Sequence, residues 1–198
     1  MKRLILIIIF STQNLWASQM GLGLGIGKVD GEDIQSIAFD YSIKVHQLNL
    51  FSLPLNIGLG LRYTNLTSDT FKINSKGNET LTDLSSQSYN IAVYSDYELS
   101  FMSLGFNIDL LGYTHGRQTS ISSSATKVRP EQFNLLLGGE ADLGTLNSEF
   151  WVGKKFQSFT FKLGMSHLVT EYDDKNITLG KRQKFFDTYF LNIAYNWM

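Results

Sequence analysis

The last fourteen residues of the chain, FFDTYFLNIAYNWM, constrain its fold more than any other segment. Between Phe185 and Trp197, apolar and aromatic side chains recur at alternate positions, and the positions between them include the polar residues Thr188, Asn192 and Asn196. A period of two predicts a β-strand with one apolar face and one polar face. In a water-soluble protein a second layer would have to cover the apolar face. In a membrane the hydrocarbon covers it, and aromatic residues gather at the membrane–water interface.

The same period recurs along the rest of the chain and predicts eight strands. Each strand is close to the ~9–11 residues that a tilted membrane strand needs. The predicted strands cover 20–28, 34–45, 53–64, 88–98, 102–113, 131–143, 156–168 and 185–197. The sequence therefore predicts an all-β fold, an eight-stranded antiparallel up-and-down transmembrane β-barrel.

The polar faces of these strands are rich in glycine and carry charged residues. If the apolar faces point outward, the charges lie inside a narrow barrel, where opposite charges can pair. The predicted polar network of the lumen is Asp40, Lys44, Arg62, Asp96, Asp109, Glu140, Asp142 and Lys162. Side chains just fill an eight-stranded barrel, so a general diffusion pore is not expected.

Tyrosines lie near the ends of the apolar faces, where the facing sheets of a soluble sandwich would place compact branched residues. Their positions match two belts of aromatic residues at the two membrane interfaces. The predicted interfacial aromatics are Tyr41, Tyr63, Tyr89, Tyr97, Tyr189, Tyr195 and Trp197.

The links between predicted strands alternate in length. Links 46–52 and 99–101 are short, whereas 65–87, 114–130 and 169–184 are long and polar. Short turns on one side and long loops on the other are typical of outer-membrane barrels. With eight strands, both termini are expected on the short-turn, periplasmic side.

Two links depart from this alternation. Link 29–33 is short although it belongs to the long side, and link 144–155 is long for a turn on the short side. The second link contains Phe150, Trp151 and Val152. These residues predict either an extension of the sixth strand or a small extra element.

The amino terminus indicates export. Residues 1–3 carry two cations, residues 4–10 are apolar, and the more polar stretch that follows ends at Ala17. This is the order of a secretory signal. The apolar run is far shorter than the ~20 residues that a transmembrane helix needs. We predict a signal peptide over 1–17 and a barrel domain over 18–198.

Composition excludes several kinds of site. The chain has no cysteine, which excludes a disulfide framework, a thiolate metal site and a cysteine nucleophile. Its net charge of −1 gives no indication of nucleic acid as a partner. The glycines of GLGLGIG, residues 21–27, do not have the spacing of a nucleotide-binding loop. They are better explained as small residues facing the lumen. We expect no catalytic, metal or cofactor site and no enzymatic activity.

The three histidines leave one alternative open. His46 is predicted in a turn and His115 at the start of a loop. His167 continues the lipid-facing positions of its strand near the outer rim, where a serine–histidine–acid set can act on lipid A. Ser166 is its neighbour, but adjacent residues of a strand point to opposite faces. We therefore favour an interfacial histidine.

The closing strand reads Tyr189-x-Leu191-x-Ile193-x-Tyr195-x-Trp197. With the signal peptide, the strand pattern and the loop asymmetry, it makes the chain resemble the eight-stranded bacterial outer-membrane barrels, the class of the OmpA transmembrane domain, OmpX and OmpW-like proteins. The resemblance implies the bacterial outer membrane, contact with its lipids and lipopolysaccharide, and recognition of residues 185–198 by the barrel-insertion machinery. The chain departs from the class in one respect, because Met198 follows the final aromatic residue.

The expected function is that of a small integral outer-membrane protein, a scaffold that presents the loops 65–87, 114–130 and 169–184 for surface interaction or envelope integrity. The extracellular partner is not indicated by the sequence. The alternatives are a narrow channel for small solutes, a lipid A-modifying enzyme at the rim, and a soluble barrel with a ligand inside. The last requires apolar faces that point inward.

Overall fold

The computed structural model describes residues 18–29, 32–50, 53–75, 78–120, 132–135, 146–173 and 181–197. They form nine strands: β1 Ser18–Val29, β2 Glu32–Leu50, β3 Leu53–Ser75, β4 Asn78–Glu98, β5 Ser103–Ser120, β6 Gln132–Leu135, β7 Leu146–Phe156, β8 Phe159–Asp173 and β9 Lys181–Trp197. No helix in these ranges is long and apolar enough to cross a membrane. The predicted signal peptide lies outside the described residues.

The nine strands fill eight positions of a closed antiparallel barrel. β1 to β5 pair in sequence order, β7, β8 and β9 do the same, and β9 closes onto β1. β6 and β7 pair one after the other with the same side of β5. Leu135 lies opposite Leu111, and Ser148 lies opposite Ile108, so the two strands share the sixth position. The predicted eight-stranded antiparallel barrel is confirmed.

The sixth position differs from the prediction. Of the predicted strand 131–143, the structure describes a strand only at 132–135, and Glu140 and Asp142 lie outside the described residues. Most of the sixth position is filled by β7, which occupies the predicted link 144–155. β7 alternates as a barrel strand should, with Phe150 and Val152 exposed between buried Glu149 and Trp151. Of the two alternatives predicted for 144–155, the structure has further strand in the sixth position, and β7 is joined to β8 by a short turn.

Several strands continue into segments that the sequence analysis assigns to loops. β3 runs to Ser75 and β4 begins at Asn78, so most of the predicted loop 65–87 belongs to one long hairpin. β5 likewise reaches Ser120, and β8 reaches Asp173. The reason is that these segments are mostly polar and their few apolar residues do not alternate regularly, so they give no signal of period two.

The exterior of the barrel is its apolar side. Leu191 is 53% exposed, whereas its neighbour Asn192 is 5% exposed and points into the lumen. The same contrast separates Leu61 from the adjacent Arg62. Water-soluble proteins bury their large apolar side chains in this way only on the inside. The inverted pattern is the one expected of a barrel surrounded by hydrocarbon.

Two irregularities adjust which side chains point outward. Pairing of β4 with β5 shifts where Ala92 faces Asp109 and Ile91 faces Leu111, so Leu110 is an extra residue. Beyond this bulge the exterior positions of β5 become odd-numbered, which keeps Tyr113 outside. A second shift lies between Lys44 and His46 of β2.

One end of the barrel carries the short turns. The turn from β4 to β5 is closed by Leu99 N–H, which donates to the Met102 carbonyl at 2.8 Å. β7 and β8 are joined by two residues, of which Gln157 has a positive φ of 54°. Ser18 pairs with Trp197 at the same end, so both described ends of the chain lie there. We call this the short-turn end and the opposite one the loop end.

Candidate functional site

A cluster of buried charges occupies the middle of the lumen. Arg62 of β3 reaches two carboxylates on other strands, with Nη1 3.2 Å from Asp109 Oδ1 and Nη2 3.1 Å from Glu149 Oε2. Asp109 lies on β5 and Glu149 on β7, so the cluster ties three strands together. Because the barrel closes, alternation brings these inward side chains within reach of one another.

Neutral amides complete the bonding of the two carboxylates. Asn90 Nδ2 donates to Asp109 Oδ2 at 2.7 Å, and the backbone N–H of Asn147 donates to the same oxygen at 3.1 Å. Asn107 Nδ2 donates to Glu149 Oε2 at 2.9 Å. Buried charges are tolerated when they are paired and hydrogen-bonded in this way. The cluster is therefore a fixed structural plug.

A second buried cation lies closer to the short-turn end. Lys162 of β8 donates from Nζ to Gln19 Oε1 at 2.5 Å, and Nζ lies 4.7 Å from the centre of the Trp151 ring. Trp151 faces inward from β7 opposite Gly105, where an added Cβ would overlap the indole ring. The glycine thus makes the space that the tryptophan fills.

A set of apolar side chains, here called the apolar layer, faces the lumen on the loop-end side of the charged cluster. It consists of inward-facing, buried side chains from four strands, namely Ile34, Leu66, Leu168 and Phe190. The sequence pattern does not predict this layer. Apolar residues on the polar face of a strand break the alternation and carry no signal of their own.

The described residues of the predicted lumen network lie at two levels of the barrel. Asp40, Arg62, Asp109 and Lys162 are buried inside the barrel. Lys44 and Asp96 line a cavity at the short-turn end. Glu149 is a cluster member that the sequence analysis missed, because its segment was assigned to a link. The alternation of Asn147, Glu149 and Trp151 is the signal that could have found it.

The predicted interfacial aromatics lie on the exterior in two groups. At the short-turn end, the Trp197 ring stacks at 6.0 Å on Tyr41 and at 5.8 Å on Tyr195. Tyr97 is near the same end, opposite Leu104. Towards the loop end, Tyr63 and Tyr89 are in contact at 5.0 Å, and Tyr189 lies opposite Met165. Their role at the membrane interfaces stays a prediction.

The histidines all lie on strands. His46 belongs to β2 and His115 to β5, in place of the predicted turn and loop. His167 Nδ1 lies 2.5 Å from Asp187 Oδ1 on the exterior. Ser166 points inward and donates from Oγ to Asn147 Oδ1 at 2.6 Å, so it does not act together with His167. Within the described ranges, no group of three or more His, Asp or Glu side chains is placed to hold a metal ion.

Comparison with known proteins gives a likeness of fold. No family model matches the chain, and no curated protein matches it. It is similar to a backbone structure of the Yersinia pestis outer membrane protein Ail in a phospholipid bilayer nanodisc, with 13% identity, a TM-score of 0.43, and coverage of 91% of this chain and 99% of that one. It is also similar to a crystal structure of Ail, the attachment invasion locus protein of Yersinia pestis, in complex with the heparin analogue sucrose octasulfate, with 13% identity, a TM-score of 0.45, and coverage of 92% and 98%.

Proposed function

We propose that the protein is an integral protein of the bacterial outer membrane whose barrel serves as a closed scaffold for a sheet that projects from the cell surface. Two features of the barrel support this proposal. The exterior is apolar between the two aromatic groups, which suits contact with lipid. The lumen is filled at two levels, by the Arg62 cluster and by the apolar layer, which favours a scaffold over a channel.

The projecting sheet is the observation that carries the proposal. β2 pairs with β3 only as far as Thr67, and β6 pairs with β5 only as far as Thr114. β3 and β4 stay paired up to Ser75 and Asn78, and β4 stays paired with β5 up to Ser120. Three strands thus continue beyond the closed part of the barrel, with β4 in the middle. We call residues 68–75, 78–86 and 115–120 the projecting sheet.

Ser68, the first residue of the projecting sheet, still donates from Oγ to the Asp33 carbonyl of β2 at 2.9 Å. Beyond it, both edges of the projecting sheet lack a strand partner among the described residues. No described strand pairs with β3 beyond Thr67 on the side away from β4, or with β5 beyond Thr114 on the corresponding side. An open edge presents a row of backbone N–H and C=O groups that an added strand can pair with. The partner that fits this surface is an extended segment of another protein at the cell surface.

Proteolysis of intact cells tests this arrangement. Trypsin added from outside is expected to cut at Lys72, which belongs to β3 in the projecting sheet, or at Lys76, which follows β3 in the sequence. The Lys154–Lys155 bond of β7 at the short-turn end should stay protected. Permeabilising the outer membrane should expose that second bond. The fragment ending at Lys72 or Lys76 should disappear in a Lys72→Gln/Lys76→Gln variant. Cutting of the Lys154–Lys155 bond, without cutting at Lys72 or Lys76, in intact cells would contradict the proposal.

A further inference from the structure

The lumen contains a cavity of about 280 Å³ at the short-turn end, on the near side of Trp151 and Lys162. We call this cavity the vestibule. Its charged lining residues are Lys44, Asp96, Glu98, Lys155 and Lys162. Within the described residues, none of these five side chains forms an ion pair. The charges of the vestibule therefore face the cavity without neutralising one another in direct contact.

One wall of the vestibule is made of hydrogen-bond acceptors. Asn56 of β3 donates from Nδ2 to Asp96 Oδ2 at 2.9 Å and to Glu98 Oε1 at 3.2 Å. These two bonds hold the side-chain amide in one orientation and use both of its N–H groups. Asn56 is only 6% exposed, and its buried Oδ1 accepts no hydrogen bond within the described part of the chain. An amide oxygen beside two carboxylates is suited to an ammonium group, which brings three N–H donors.

The opposite wall presents a cation. β8 stands four positions from β3 in the eight-position ring, so Lys162 faces Asn56 across the lumen. Lys162 is 2% exposed, and its bonded partner is the neutral carbonyl of Gln19. Asp40, Glu149 and Asp96 interact electrostatically with Lys162, but none of them forms an ion pair with it within the described residues. A buried ammonium is better stabilised by an anion in direct contact than by a neutral carbonyl. Lys155 adds a second positive charge on the β7 side.

We propose that the vestibule binds a small zwitterion, with the ammonium end held by Asn56, Asp96 and Glu98 and the carboxylate end held by Lys162. At about 30 Å³ per water molecule, the volume equals about nine waters, which is the size of an amino acid or a dipeptide. Both ends of such a ligand would make charge-assisted hydrogen bonds. In the orientation proposed above, the ligand would come from the periplasm.

Binding to the native protein in nanodiscs tests the proposal. Trp151 faces the lumen and lines the vestibule, so its emission reports on occupancy of the cavity. Glycylglycine is expected to give a saturable change. N-acetylglycine, which lacks the ammonium, and ethylamine, which lacks the carboxylate, are expected to bind about tenfold more weakly or worse at equal ionic strength, since each loses one set of charged hydrogen bonds.

Variants then locate the site. Lys162→Met should weaken glycylglycine binding about tenfold or more, and Lys162→Arg should retain most of it. Lys154→Met is the matched control, because Lys154 neighbours Lys155 but is exposed on the exterior. If a variant fails to fold, the comparison of glycylglycine with the two single-ended probes on the native protein still tests the proposal. No saturable response to glycylglycine, or equal affinity for a single-ended probe, would overturn the proposal.

Discussion

Replacing Arg62 by methionine is expected to lower the free energy of unfolding by about 3–5 kcal/mol, because it leaves two buried carboxylates without their cation. Arg62 is 2% exposed, and it contacts both Asp109 and Glu149. The remaining donors to these carboxylates are amides, which carry no net charge. Denaturant unfolding of the protein reconstituted in lipid vesicles, followed by tryptophan emission, measures the loss.

Two further variants make this measurement specific. Lys28 pairs with Asp33 at 3.4 Å, but their side chains are 73% and 78% exposed, so Lys28→Met should cost less than about 1 kcal/mol. Combining Arg62→Met with Asp109→Asn and Glu149→Gln removes the unpaired charge and should restore much of the lost stability. A loss for Arg62→Met no larger than that for Lys28→Met would show that the cluster is not the buried plug described here.

Introducing arginine at Leu191 is expected to destabilise the barrel by about 2–4 kcal/mol, the cost of a cation on the lipid face near the bilayer midplane. Leu191 lies on the exterior between Tyr189 and Tyr195, with Leu24 and Leu163 opposite it on the neighbouring strands. In water the same exposed position would tolerate arginine within about 0.5 kcal/mol. The substitution therefore separates a lipid-facing exterior from a water-facing one.

The control for Leu191→Arg is an exposed apolar residue beyond the aromatic groups. Phe101, in the turn between β4 and β5, is 70% exposed. Phe101→Arg should cost about 0–1 kcal/mol, as expected near an interface. Equal, small effects of the two substitutions on unfolding in vesicles would count against a membrane-embedded exterior.

The strands that could be predicted from the sequence are those whose two faces differ clearly. β1 alternates glycine with Met20, Leu22, Leu24 and Ile26, and β9 alternates aromatic with polar residues, so both patterns fix the outward face. β7 is harder to predict than β1 or β9, because its inward-facing residue Trp151 is also apolar and lies between outward-facing Phe150 and Val152. Three consecutive apolar residues have no period of two, and only the closed barrel shows which of them fills the lumen.

The partners within the lumen could be predicted only as a set. Alternation places Arg62 and Asp109 on the inside, but which carboxylate meets which cation depends on strand register and tilt. The bulge at Leu110 alters that register without any mark in the sequence. The pairing of Arg62 with Glu149, and the pairing of Lys162 with neutral Gln19, follow from the closed geometry alone.

The most direct test of the account compares the methyl groups of leucine and isoleucine on the two faces of the same strands. The protein would be placed in nanodiscs whose lipids carry a nitroxide on the acyl chain, and methyl signals would be followed by NMR. Relaxation by the nitroxide is expected to broaden the exterior methyls of Leu59, Leu191 and Ile193. It should spare the buried lumen methyls of Ile34, Leu66 and Leu168. Broadening of the second set with protection of the first would contradict the claim that hydrocarbon surrounds the apolar face of this barrel.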